Sequence, residues 1–317
     1  MKAPVLLVVA LGLLLTGEGC RKPSGDPPAG PKTVTLALNW VPEPEFGGFY
    51  AAREGGAFRK HGLDVDIRGG GAGVPVLQMV ATGQAEFGIA GADEILTARA
   101  RDADIVPLFA TYQTSPQGIM VHGSRAAKNI GDVLKEGTIA MEPGLPYAAF
   151  LKKKYGPPRA TVVPHDGGVA RFLTDKSFAQ QCYVTSEPIT ARSKGADLKV
   201  MLIADEGFNP YVGVVITRRR LWNESPELVR SFVRAVREGW RTYLDDPAPM
   251  NLVMGRLNRS MAPEVFMAAA AAQKPLIEAA PLGAMSKERW ETLGKQLVEI
   301  GVLTRAPPVD FLLDPGP

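Results

Sequence analysis

The chain has 317 residues, 45% hydrophobic, 22% charged and 7% aromatic, which excludes a disordered tail, a collagen-like repeat and a polytopic membrane protein. Its net charge of +3 comes from 36 Lys and Arg against 33 Asp and Glu. The basic runs Lys152 to Lys154 and Arg218 to Arg220 are too short for a nucleic-acid surface and read as solvated faces.

Met1 to Gly19 reads as a secretory signal: Lys2, the apolar run Val5 to Leu15, then small residues at Gly17 and Gly19. The apolar run is too short to span a bilayer. Cys20 stands where a lipoprotein cysteine would, ahead of a Pro- and Gly-rich tether over 20–32. The segment is similar to a bacterial lipobox, with Gly17 in place of the usual Leu and Glu18 as an unusual neighbour. The alternative is a cysteine that only lies near a cleavage point. With Cys20 lipidated, Cys182 has no partner and the fold has no disulfide. The expected location is the outer face of a bacterial membrane, periplasmic or extracytoplasmic, held through the lipid anchor only.

From Thr33 the pattern runs strand, turn, helix. Val34, Leu36, Leu38 and Trp40 alternate with polar or small residues as a half-buried strand. Phe49 to Lys60 reads as a helix stopped by Gly62, and Leu63, Val65 and Ile67 as a second strand closed by Gly69 to Gly71. A helix from Val74 to Ala81 follows, then a buried strand over Phe87 to Ala90. Asp93 is expected to cap a helix through Arg101, before a strand at Ile105 to Ala110. This alternation predicts a parallel sheet covered by helices.

The pattern then restarts. Strands are predicted at Gly118 to Val121, Thr138 to Met141, Thr161 to Val163, Gln181 to Val184, Leu198 to Ile203 and Val212 to Thr217. Helices are predicted at Pro146 to Tyr155, Gly168 to Thr174 and Pro188 to Lys194. The remainder reads as helical, over Pro226 to Leu244, Pro249 to Asn258, Pro263 to Gln273 and Lys287 to Ile300, with Pro recurring at first turns. The fold class is α/β, in two lobes with a helical C-terminal section.

Catalytic signatures are missing. His61, His122 and His165 stand alone, without a second ligand at helical or loop spacing, so no metal is expected. The run Gly69 to Gly73 lacks the Lys and Ser/Thr of a P-loop and the third glycine of a dinucleotide fingerprint, so no nucleotide cofactor is expected. It reads as a strand-to-helix turn, with free backbone N–H groups able to receive a polar ligand group.

Two segments carry a resemblance. Leu38-Asn39-Trp40-Val41-Pro42-Glu43-Pro44-Glu45-Phe46-Gly47-Gly48-Phe49-Tyr50 continues through Gln78 to Ala90, and Tyr183-Val184-Thr185-Ser186-Glu187-Pro188 follows in the second half. These resemble the thiamine-pyrimidine family: substrate-binding proteins of ABC transporters for pyrimidine precursors, together with pyrimidine-synthase relatives. Sulfonate, nitrate and taurine binding proteins share the general pattern. Ser186 stands at the place of the family's Asn.

The resemblance implies a two-lobed, periplasmic-binding-protein-like (type II) fold, a monomer with a ligand cleft between the lobes. Residues 33–114 plus 218–317 would form lobe 1 and 115–217 lobe 2. The lobes would close on a small-molecule ligand for delivery to an ABC permease and its ATPase. The implied ligand-binding residues are Asn39, Trp40, Phe46, Tyr50, Asp93, Thr114, Gly144, Tyr147, Tyr183 and Glu187, with none catalytic. An indole at Trp40 stacks on a flat heterocycle, Asn39 both donates and accepts, and Glu187 binds an exocyclic amine. Glu187 is otherwise a helix-start charge, and Trp40 and Tyr183 otherwise core. Phe46 stands where the family often has His, and the synthase's cysteine-rich motif is missing, which argues against the enzyme. The implied ligand is a thiamine-precursor pyrimidine, with riboflavin, taurine or another sulfonate as the alternative.

Overall fold

The computed structural model describes Met1, residues 30–142 and residues 144–312. The leader, Cys20 and its tether therefore lie outside the described residues, apart from Met1 and residues 30–32. Among the described residues no helix is long and apolar enough to cross a membrane.

Chain order is strand β1 (Lys32–Ala37), a one-turn 3-10 helix (Pro44–Phe46), helices α1 (Gly47–Glu54) and α2 (Ala57–Lys60), then β2 (Leu63–Arg68). Helix α3 (Val76–Ala81), β3 (Phe87–Ala90), α4 (Ala92–Arg99) and β4 (Ile105–Tyr112) complete the first run. The second run is β5 (Gln117–His122), α5 (Ile130–Val133), β6 (Thr138–Ala140), α6 (Pro146–Tyr155), β7 (Thr161–Val163), α7 (Ala170–Thr174), β8 (Phe178–Tyr183), α8 (Glu187–Ser193) and β9 (Leu198–Leu202). The chain returns through β10 (Val212–Arg218) and ends in α9 (Arg219–Glu224), α10 (Pro226–Asp245), α11 (Ala248–Leu257), α12 (Pro263–Ile277) and α13 (Lys287–Glu299).

Two five-stranded sheets result, in the orders β2-β1-β3-β10-β4 and β7-β6-β8-β5-β9. Neither is wholly parallel, contrary to the alternation rule. β10 runs antiparallel to β3 and β4, and β5 antiparallel to β8 and β9. The reversed strand in each sheet is the one that enters just after a crossing. β10 also corrects the boundary drawn at 217/218. Its apolar run marks it as buried, but its long-range partners place it inside the first sheet.

The strand directions fix where the edges meet. β4 ends at Tyr112, and β5 starts at Gln117 opposite Tyr183, the last residue of β8. β9 ends at Leu202 opposite Gly118, and β10 starts at Val212 opposite Tyr112. Both crossings therefore join the C-terminal edge of one sheet to that of the other. In open α/β sheets that edge is where ligands bind.

Arg289, in the first turn of α13, ties the two crossings together. Its guanidinium donates to the carbonyls of Gln113 (2.6 Å), Asn209 (2.9 Å) and Pro210 (3.4 Å), and lies 3.8 Å from the centroid of the Tyr211 ring. Asn209 Oδ1 in turn accepts the Ser115 N–H at 2.8 Å.

Local expectations shift at glycines and strand ends. The helix predicted over Phe49 to Lys60 breaks at Gly55 and Gly56, where Gly56 takes φ +78°. β1 stops at Ala37, paired with Arg68 at the end of β2, so Trp40 lies in the following turn and does not end a strand. Gly91, not Asp93, is the N-cap of α4, and its N–H donates to Glu94 Oε2 at 2.8 Å. Helix α5 carried too little periodicity to be predicted.

Candidate functional site at the facing sheet edges

The loop after β1 is held against the loop after β2. Gly70 N–H donates to the Trp40 carbonyl at 2.9 Å, and a Cβ on Gly70 would fall 2.1 Å from the Leu38 carbonyl oxygen. One N–H of the glycine run is thus spent on holding Trp40. Trp40 stays 42% exposed, and its indole N–H donates to the Glu43 carboxyl. Asn39 beside it is exposed.

The short helix Pro44–Phe46 is pinned from below. Gln273 of α12 is fully buried, donates to the Pro44 carbonyl at 2.8 Å and accepts the Tyr112 hydroxyl at 2.6 Å. That grip holds Glu43 and Glu45 at the edge. Burial pushes the Glu43 carboxyl up to about 7, against hydrogen bonds from Trp40 and Asn258 and with help from the charge of Glu187. Burial, then the neighbouring Glu43, pushes Glu45 up to about 8. Across β3, burial and then Glu94 push Asp93 up to about 6.

The second sheet contributes Tyr183, Glu187 and His165. Glu187 Oε2 accepts the Tyr183 N–H at 2.8 Å, and its Oε1 lies 3.3 Å from His165 Nε2. The carboxylate expected to read a ligand amine is thus already engaged by its own turn. Burial holds the Tyr183 phenol above its usual range, and the charges of Glu45, Asp93, Glu94 and Glu187 push the same way. Tyr112 is raised by burial, then by Glu45 and Tyr183. Carboxylates from both sheets therefore act on the Tyr183 phenol, and among the described residues no Arg or Lys is among the groups acting on Glu43, Glu45 or Asp93.

The match of the family model described as NMT1/THI5 like runs over residues 43–249, from the first of these carboxylates to beyond α10. The chain belongs to that family. Among curated relatives of this NMT1/THI5-like protein, a riboflavin-binding protein of Chloroflexus aurantiacus is 27% identical over 76% of this chain and 75% of its own. A formylaminopyrimidine-binding protein of Halalkalibacterium halodurans is 21% identical over 92% of each chain. The solved periplasmic aliphatic sulphonate binding protein SsuA of Escherichia coli superposes with TM-score 0.70 at 14% identity, covering 90% of this chain and 94% of its own. That likeness establishes the periplasmic binding protein fold.

Of the residues singled out from sequence, Trp40, Asp93, Tyr183 and Glu187 gather at the facing edges of this NMT1/THI5-like chain. Others do not join them. Phe46 and Tyr50 are 2% and 1% exposed within the core of the first sheet, with Phe49, Trp240 and Tyr243. Tyr147 is buried and donates to Gln181 Oε1 at 2.6 Å. Gly144 is exposed with φ +86°, and Thr114 lies in a crossing, its N–H donating to the Leu276 carbonyl at 3.0 Å.

Sequence reasoning missed Glu43, Glu45, Tyr112 and His165. Glu43 and Glu45 stand inside the recognised Trp40 to Tyr50 segment, so a signal existed. It lay in the acid–Pro–acid spacing, which holds two carboxyls on one turn. Among the described residues no three His, Cys, Asp or Glu are grouped as a metal ion would need.

Proposed function

We propose that this protein is an extracytoplasmic solute-binding component of an ABC importer that takes an amino-bearing heterocycle, of the thiamine-precursor pyrimidine type, between its two sheets. The observation that carries this reading is the facing set of Glu43, Glu45, Asp93 and Glu187 around Tyr112 and Tyr183. The carboxyls of Glu43, Glu45 and Asp93, raised by desolvation, have no Arg or Lys acting on them among the described residues and gain from further N–H donors. A ring with exocyclic amines supplies those donors, and charge-assisted bonds are the strong ones. The exposed Trp40 indole and Tyr183 offer ring faces to a flat ligand.

The same acids argue against a sulfonate, which would bring a full negative charge among them. Riboflavin remains the second reading, favoured by the riboflavin-binding relative. Binding, not catalysis, is the proposed activity. Phe46, at the place of a frequent family histidine, is packed in the core and offers no acid–base group. Lobe closure about the crossings near Gln113 and Asn209 would deliver the ligand to a permease.

Titration calorimetry with 4-amino-5-hydroxymethyl-2-methylpyrimidine, riboflavin and ethanesulfonate tests the reading. The aminopyrimidine should bind and the sulfonate should not, and tight sulfonate binding alone would overturn it. Anchoring through Cys20 is part of the proposal. Cys20→Ser should move the protein from the membrane pellet to the soluble fraction, since the tether has no other apolar anchor.

A further inference from the structure

His165 follows β7 at the C-terminal edge of the second sheet, next to Glu187. Its side chain is only 8% exposed. Nε2 faces Glu187 Oε1 at 3.3 Å, while Nδ1 is buried with no hydrogen-bond partner among the described residues. An ionised carboxylate only accepts, so the proton of a neutral imidazole sits on Nε2 and Nδ1 keeps a bare lone pair. The carboxylate is itself held, because its second oxygen accepts the Tyr183 N–H at 2.8 Å. The turn between β8 and α8 therefore orients Glu187, Glu187 fixes the ring and its tautomer, and Nδ1 is left as an acceptor in need of a donor. A buried acceptor without a donor is costly, and its persistence at this edge points to a group supplied from outside.

We propose that His165 Nδ1 accepts an N–H from the bound ligand, so that the site selects heterocycles bearing an amino or imide N–H over the same ring without it. This rests on the reading that the facing edges bind a solute. It assigns a specificity role to a histidine that lies outside the recognised sequence segments. The orienting role passes to Glu187, whose engaged oxygens suit it to that task better than to direct ligand contact.

The test has two arms. Nitrogen-15 NMR of the ligand-free protein should show His165 in the Nε2–H tautomer with Nδ1 unprotonated, and ligand binding should shift the Nδ1 resonance. A ligand-free Nδ1–H tautomer, or a bound spectrum without that shift, overturns the proposal. The second arm is a calorimetric cycle with 4-amino-5-hydroxymethyl-2-methylpyrimidine and its analogue lacking the amine. For a protein that binds riboflavin instead, the pair is riboflavin and its N3-methyl derivative. Wild type should prefer the N–H ligand, and His165→Phe should cut that preference about tenfold, the size of one hydrogen bond. His165→Gln, which keeps an acceptor, should retain part of it and serves if the Phe variant fails to fold. Equal weakening for both members of a pair overturns the proposal alone. Failure of wild type to bind any of these probes overturns the functional reading, and this inference with it.

Discussion

Glu45 sits where two unfavourable effects add, burial first and the charge of Glu43 second, and its carboxyl is pushed up to about 8. Glu43 follows at about 7. In the unfolded chain both titrate near 4.5. Between about pH 4.5 and pH 8 the folded state thus holds protons that the unfolded state has released. Stability rises with pH only where the unfolded state binds more protons, so here this pair makes stability fall as pH rises through that window. The ligand-free protein should lose several degrees of melting temperature across it by scanning calorimetry. Glu45→Gln keeps the shape, removes the titration and should flatten the slope, with its gain over wild type largest at the alkaline end. Identical slopes in the two proteins would show that Glu45 is not strained by its site.

At the scale of elements, the close approach of α1 and α10 depends on two glycines. A Cβ on Gly48 would lie 2.2 Å from ring atoms of Trp240, and one on Gly239 would lie 2.2 Å from the Gly48 carbonyl oxygen. Trp240 is fully buried, with Phe49 and Tyr243 edge-on to it at 5.8 Å, so the ring has nowhere to swing. Gly48→Ala should cost about 1–3 kcal/mol by overpacking. The urea midpoint should fall with an unchanged m value, and an unmoved midpoint would mean the helices simply part. The Gly47-Gly48 pair was visible in the recognised segment, yet its purpose was not. Periodicity identifies α10 as amphipathic and α12 as a long helix, because those patterns are local. It cannot say that β10 joins the first sheet or that Trp40 lies beyond the end of β1, since both facts depend on partners far along the chain. The site divides the same way. Trp40, Tyr183 and Glu187 were legible as members of short motifs. The facing of Glu45 and Tyr183, 138 positions apart, exists only once the two sheet edges meet.

For the whole molecule, two short crossings carry the chain between the sheets, and Arg289 bonds to both. Its five N–H groups form a planar fork, and three carbonyls from the two segments occupy it. Carbonyl oxygens in a crossing have no ladder to join, so losing the guanidinium leaves Gln113, Asn209 and Pro210 short of a donor. Arg289→Met preserves the length of the apolar stem against Tyr211 while removing those bonds. Hydrogen bonds from a charged donor are worth about 1.5–3 kcal/mol each and are not additive within one group, so a loss of about 2–4 kcal/mol is expected. A second consequence separates a hinge role from ordinary packing. With the crossings untied, the ligand-free variant should sample wider sheet separations, and small-angle scattering should give a larger radius of gyration than for wild type. Ligand contacts from both edges would then draw the lobes together, so the two proteins should converge when saturated. Arg289→Lys, able to reach only part of the carbonyl set, should fall between them. A variant that is destabilised but equal to wild type in ligand-free radius would place Arg289 in the core's support and leave the crossings free to set closure alone.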